Sequence, residues 1–136
     1  PAIITQALTQ KQIQIGNLET RRDFTYITDT IQGFIKAAET EGLEGKTFNL
    51  GTGQDITIGE LAHLIIQQVN PFLKLVTDPK RMRPEKSEVY RLISDNSLAR
   101  DTFRWQPEVG IDLGLEKTIS WIKNHLALYQ IGSYEF

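Results

Sequence analysis

Short strings rich in aromatic and β-branched residues alternate along this chain with amphipathic stretches, and glycine or proline stands at most of the junctions. Gln12-Ile13-Gln14-Ile15 alternates polar and apolar as a half-buried strand does, and Gly16-Asn17 breaks it. The segment 17–22 reads as a loop and Asp23 to Ile27 as a strand. Thr28 or Asp29 is placed to cap a helix in which Ile31, Phe34, Ile35 and Ala38 recur at steps of three and four, giving one buried face that ends at Gly42 and Gly45. Lys46 to Leu50 reads as a further strand, closed by Gly51-Thr52-Gly53. Thr57 with Glu60 is a capping box opening a helix that carries Ile58, Leu61, Ala62, Ile65 and Val69 and stops at Asn70-Pro71. Strands are expected at 73–76 and 91–94 and a helix over 2–10. A brief helix capped by Asp95 or Asn96 runs through Phe103, and a final helix from Asp112 to His125 buries Leu115, Ile119, Ile122 and Leu126. Such alternation predicts an α/β or α+β fold of mixed short strands and helices.

The 136 residues suffice for one ordinary domain, 1–136, and the 40% apolar and 24% charged content is that of an average globular protein. A net charge of −2 and scattered aromatics argue against a nucleic-acid surface or an anionic membrane as partner. The absence of cysteine excludes disulfides, thiolate metal sites and cysteine nucleophiles. No apolar run reaches the roughly 20 residues that span a bilayer, and residues 1–6 lack the features of a signal peptide, so the cytoplasm is the expected location. The chain starts without methionine and inside an apolar pattern, which leads us to expect a fragment.

Few residues stand out for chemistry. Gly51-Thr52-Gly53 lacks the third glycine of a dinucleotide fingerprint and reads as a turn. His63 and His125 have no ligand at metal spacing, and Asp23 and Asp29 sit where carboxylates cap and pair. Arg21-Arg22 precedes a strand, and Arg81 and Arg83 lie in a proline-containing loop, 78–91, with five basic residues against three acidic ones. On charge alone these are solvated loop positions. The planar guanidinium fork also suits a diphosphate, which two arginine loops could clamp.

Specific strings add to this reading. Arg22-Asp23-Phe24-Thr25-Tyr26-Ile27-Thr28-Asp29 resembles a block of the extended short-chain dehydrogenases that act on nucleotide sugars, and Phe48-Asn49-Leu50-Gly51-Thr52-Gly53 resembles their Asn-(aliphatic)-Gly-x-Gly turn. Arg83-Pro84, Asp95 to Ala99, Trp105-Gln106-Pro107 and Gly114-Leu115 with Thr118 to Trp121 resemble their C-terminal region in order and spacing, over roughly residues 1–123. The resemblance implies the substrate-binding C-terminal region of a Rossmann-type fold. It implies that Arg22 and Arg83 contact the substrate diphosphate, Glu88 the ribose hydroxyls, and the backbone at Gln14 and Ile15 the base. NAD would be held by an N-terminal half that these residues do not include, and the intact enzyme would be a homodimer. The Tyr-x-x-x-Lys pair is absent: Tyr26, Tyr90 and Tyr129 are followed four residues on by Thr30, Ser94 and Ser133. No catalytic residue, metal or bound cofactor is therefore expected in these residues, and no turnover from them alone.

The run Arg83-Pro84-Glu85-Lys86-Ser87-Glu88-Val89 is longer than the family's usual Arg-Pro-Gly-Asp and resembles a subset of 4,6-dehydratases. The expected role is substrate grip in a nucleotide-sugar 4,6-dehydratase, with a nucleotide-sugar 4-epimerase, or a non-catalytic module binding a nucleotide sugar or a protein, as alternatives. Arg104 replaces a family glycine at a helix end, where a positive φ would be a mild strain.

Overall fold

Helices and short strands alternate in a computed structural model that describes residues 1–84 and 87–129. In chain order these are α1 (Ala2–Thr9), β1 (Gln12–Ile15), β2 (Arg21–Arg22), α2 (Ile27–Glu39), β3 (Ile56–Thr57), α3 (Ile58–Val69), β4 (Lys74–Thr77), β5 (Arg91–Leu92), α4 (Ser97–Phe103) and α5 (Ile111–Asn124), with single 3-10 turns at Pro79–Arg81 and Leu126–Leu128. The fold class is α/β. The chain forms two compact units, one made of Pro1–Thr20, Thr57–Val89 and the part from Leu115 on, the other of Arg21–Ile56 and Tyr90–Gly114.

In the first unit β1 and β4 pair in parallel, with Gln12 opposite Lys74 and Ile15 opposite Thr77. Ile4 and Ala7 of α1, Ile13 of β1, and Leu61, Ala62, Ile65 and Ile66 of α3 are buried. Withdrawing side chains as large as Ile13 and Ile65 from water stabilises by about 1.5–3 kcal/mol each. The capping box of α3 is closed: Thr57 Oγ1 accepts the Glu60 amide at 3.0 Å, and Glu60 Oε2 accepts the Thr57 amide at 2.8 Å. Leu115, Ile119 and Ile122, spaced four and three apart, give α5 its buried face.

In the second unit Ala99, Phe103 and Trp105 form the core, and Ala37, Leu43, Phe48 and Leu50 pack on it. Phe48 meets Phe103 edge to face at a centroid distance of 5.0 Å. Strand β2 is the middle strand of a three-stranded sheet, order β3-β2-β5, and pairs in parallel with β5.

This unit departs from the sequence expectations in three places. Helix α2 turns its predicted face outward: Ile31, Phe34 and Ile35 are 47%, 68% and 42% exposed, while Asp29 and Gly33 are the buried residues. The cause is Trp105. Its indole N–H donates to the Asp29 carbonyl, and Gly33 lies so close that an added Cβ would stand 2.5 Å from Leu50 Cδ1 and 3.1 Å from Trp105 Nε1. The stripe Asp29-Gly33-Ala37, at steps of four, therefore faces inward. Capping differs as well: Tyr26 is the N-cap, without a side-chain hydrogen bond, and Asp29 lies in the first turn.

The expected strand over 23–27 is replaced by the two-residue β2, which lies in the segment 17–22 that reads as a loop and is a strand because it finds partners in β3 and β5. Asp23 N still donates to Leu92 O at 3.1 Å, after which the chain turns into α2. Lys46 to Leu50 is not a strand either, because it pairs with no neighbour among the described residues, though Phe48 and Leu50 alternate inward as strand residues would. Helix α4 ends at Arg104 in the left-handed region, φ 56°, as its place at the family glycine position predicts.

Candidate functional site

In the first unit the end of β1 and the arginine loop are built against each other. Ile15 O accepts the Asp78 amide at 2.7 Å, extending the β1–β4 pairing into the loop. Gly16 follows, and a Cβ there would stand 2.2 Å from the Arg81 carbonyl oxygen and 3.2 Å from the Met82 amide nitrogen. Only glycine allows that approach. Asp78 shapes the loop, its Oδ1 accepting the Lys80 amide at 3.0 Å and its Oδ2 accepting Arg81 Nε at 3.2 Å. Arg83 follows two residues later. It is exposed, and among the described residues its guanidinium has no hydrogen bond or ion pair.

The free edge of β1 is closed by a side chain. Gln6 Oε1 accepts the Gln14 amide at 2.8 Å, and Gln6 Nε2 donates to the Gln14 carbonyl at 3.3 Å. The buried Gln6 amide thus acts as a strand neighbour at that one residue.

In the second unit β2 carries the arginine pair. Arg21 N donates to Tyr90 O at 2.7 Å, and Arg22 Nη1 folds back to donate to the Arg21 carbonyl at 2.8 Å. Asp55 accepts from Arg21 Nε at 2.9 Å and from Arg91 Nε. These two hydrogen bonds, that from Arg91 first, hold its carboxyl below the usual aspartate range. Asp95 is likewise lowered, by hydrogen bonds from Ser97.

Asp23 occupies the glycine turn. Its Oδ1 accepts Thr52 N at 2.9 Å and Thr52 Oγ1 at 2.5 Å, and its Oδ2 accepts Gly53 N at 2.9 Å and Ser94 N at 3.3 Å. The Thr52 and Gly53 amides, which could cradle a phosphate, are committed to this internal carboxylate, so the turn does not fit a dinucleotide. Asp29 is equally structural, its Oδ2 accepting the Val109 amide at 3.0 Å.

Of the sequence-predicted residues, Gln14, Ile15, Arg83 and the half-buried Glu88 belong to the first unit, and Arg22 to the second. The structure brings the Gln14–Ile15 segment together with the loop leading to Arg83. Glu85 and Lys86, in the run that suggested a 4,6-dehydratase, lie outside the described residues. Sequence reasoning missed Gly16, Gln6 and Asp55. Gln6, a polar residue on the apolar face of α1, was the one with a visible signal. Among the described residues no group of His, Asp and Glu could hold a metal; His63 is exposed, and His125 stacks on Trp121. No described helix is long and apolar enough to cross a membrane.

The fold and these paired segments define a region of the nucleotide-sugar enzymes of the short-chain dehydrogenase type. The family model described as GDP-mannose 4,6 dehydratase matches residues 1–118, and the chain belongs to that family. It is 29% identical over 119 residues to the GDP-6-deoxy-D-mannose reductase of Pseudomonas aeruginosa, covering 88% of this chain and 38% of that protein. Among solved structures it is similar to an epimerase of Methanothermobacter thermautotrophicus, with a TM-score of 0.84, 26% identity, and coverage of 94% of this chain and 38% of that one. It is also similar to the UDP-glucuronic acid 4-epimerase of Bacillus cereus, solved with UDP-glucuronic acid and NAD, with a TM-score of 0.80, 27% identity, and coverage of 94% and 39%. Further relatives are named as epimerases, reductases and dehydratases of nucleotide sugars. The chain spans about two fifths of the length of the reductase and the two epimerases described above.

Proposed function

We propose that this chain is the substrate-gripping part of an NAD-dependent nucleotide-sugar 4,6-dehydratase. The observation that carries the reading is the approach of Gly16 to the Arg81–Met82 backbone, which seats the end of β1 beside the loop that carries Arg83. Arg22 and Arg83 take the diphosphate, Glu88 the ribose hydroxyls, and the main chain at Gln14 and Ile15 the base. Gln6 already holds both main-chain groups of Gln14, and Ile15 O accepts the Asp78 amide, so a base shares these main-chain groups with their partners in the fold. A charge-assisted hydrogen bond contributes about 1.5–3 kcal/mol, so each arginine supports a substantial share of the affinity. NAD binds to residues other than these, since the glycine turn here is filled by Asp23.

Calorimetric titration of the chain with UDP and with GDP tests the grip. Arg22→Ala and Arg83→Ala are each expected to weaken binding about tenfold or more, corresponding to at least ~1.4 kcal/mol. Unchanged affinity in both variants would overturn the reading. A 4-epimerase is the second reading, favoured by the relatives so named. Products from an enzyme containing this chain separate the two: a 4-keto-6-deoxy sugar for the dehydratase, a C4 epimer for the other.

A further inference from the structure

Arg21 and Arg91 stand directly opposite each other in the parallel β2–β5 register. Like charges so placed work against the pairing. Asp55 meets both: Oδ1 accepts Arg21 Nε at 2.9 Å, Oδ2 accepts Arg91 Nε, and its main-chain carbonyl accepts Arg21 Nη2 at 3.3 Å. Its side chain is 8% exposed, against 38% for Arg21 and 62% for Arg91. One covered carboxylate therefore serves two cations that would otherwise repel across the ladder.

Strand β2 has only two residues, and its hold on β5 rests on few main-chain bonds, including Arg21 N to Tyr90 O at 2.7 Å and Asp23 N to Leu92 O at 3.1 Å. Arg22 Nη1 donates to the Arg21 carbonyl at 2.8 Å. The Arg22 guanidinium is thus tied to the Arg21 peptide, and Arg21 is tied through its side chain to Asp55. We propose that Asp55 is a positioning residue for Arg22: by joining Arg21 to Arg91 it fixes the strand from which Arg22 reaches a nucleoside diphosphate. This rests on the reading of Arg22 as a diphosphate contact.

The test uses the 136-residue chain, with UDP and GDP as probes. Asp55→Asn is expected to weaken binding about tenfold, or ~1.4 kcal/mol. Asp55→Asn with Arg91→Gln, which removes the repulsion together with the carboxylate, is expected to return affinity to within about threefold of the parent, or ~0.7 kcal/mol. A ligand-free readout runs beside it: the rate of phenylglyoxal modification at Arg22, followed by peptide mass spectrometry, rises several-fold in Asp55→Asn and falls back in the double variant. Should Asp55→Asn not fold, Asp55→Ser removes the same carboxylate and is expected to raise the Arg22 rate equally. A folded Asp55→Asn or Asp55→Ser with parental Arg22 reactivity and parental affinity overturns the proposal. A parent chain that binds neither probe overturns the diphosphate reading instead, and the Arg22 rates then decide the positioning role by themselves.

Discussion

Trp105 donates its indole N–H to the main-chain carbonyl of Asp29 at 2.8 Å. That carbonyl lies in the first turn of α2, and Trp105 is 1% exposed. The bond fixes how far α2 is rotated, and with it which side of the helix faces water. Trp105→Phe removes the indole N–H and the volume of the larger ring, while the carbonyl keeps the bond of its own helix. It should destabilise by about 1–3 kcal/mol. Urea unfolding followed by circular dichroism, with Trp121 as the remaining fluorescent reporter, measures the difference.

The outward stripe of α2 gives the converse expectation. Phe34 is 68% exposed. Phe34→Ser should change unfolding free energy by no more than about 0.5 kcal/mol, as surface substitutions do. A loss of several kcal/mol in the same urea experiment would mean that Phe34 is packed after all.

At the end of α4 the backbone of Arg104 is left-handed, φ 56°. Its carbonyl accepts Lys36 Nζ at 3.0 Å, a bond that does not depend on the Arg104 side chain. Arg104→Gly relieves the Cβ contact, which costs roughly 1–2 kcal/mol in this region, and gives back part of the gain as unfolded-chain entropy. The midpoint of unfolding should rise, by an amount equivalent to about 0.5–1 kcal/mol.

Gly16→Ala should act in the opposite direction. The new methyl would stand 2.2 Å from the Arg81 carbonyl oxygen, and the clash is with main chain. Overpacking of this kind costs about 1–3 kcal/mol and displaces the loop that presents Arg83. Stability and UDP or GDP affinity should fall together, whereas Arg83→Ala should lower affinity alone.

Asp55 also sets a pH dependence. Its folded pKa lies below the ordinary aspartate value because Arg91 and Arg21 donate to it. A depressed pKa contributes stability that is complete above the unfolded value, about 3.9, and is lost as pH falls through the folded value. The gap in unfolding midpoint between the parent and Asp55→Asn should therefore be constant near neutrality and shrink as pH drops below about 4. A gap that widens with acid would contradict the assignment.

Much of this was legible before the structure. The α3 capping box, β1, β4, α4 and the buried stripe of α5 follow from local pattern, because each is decided by residues three or four apart or by simple alternation. The inward face of α2 was not legible. Its apolar stripe is stronger than the Asp29-Gly33-Ala37 stripe that packs, and the contact that decides between them comes from Trp105, far along the chain. Lys46 to Leu50 has strand chemistry, but a strand is defined by a partner, and residue type does not supply one. At the site, the resemblance singled out Arg22 and Arg83. From sequence Gly16 reads only as a breaker and Asp55 carries no pattern, because both matter through what they meet in the fold.

The parallel pairing of Gln12–Ile15 with Lys74–Thr77 bears on how the chain comes to be folded. One compact unit is assembled from three separated stretches, and the two stretches of the other alternate with them in sequence. During synthesis β1 leaves the ribosome before β4 and waits for it, and the buried face of α5 arrives later still. Loop closure over such separations is slow, and unpaired strands are exposed meanwhile. Refolding should therefore be limited by the first unit, while Trp105 can lock α2 as soon as residues 21–56 and 90–114 are all present.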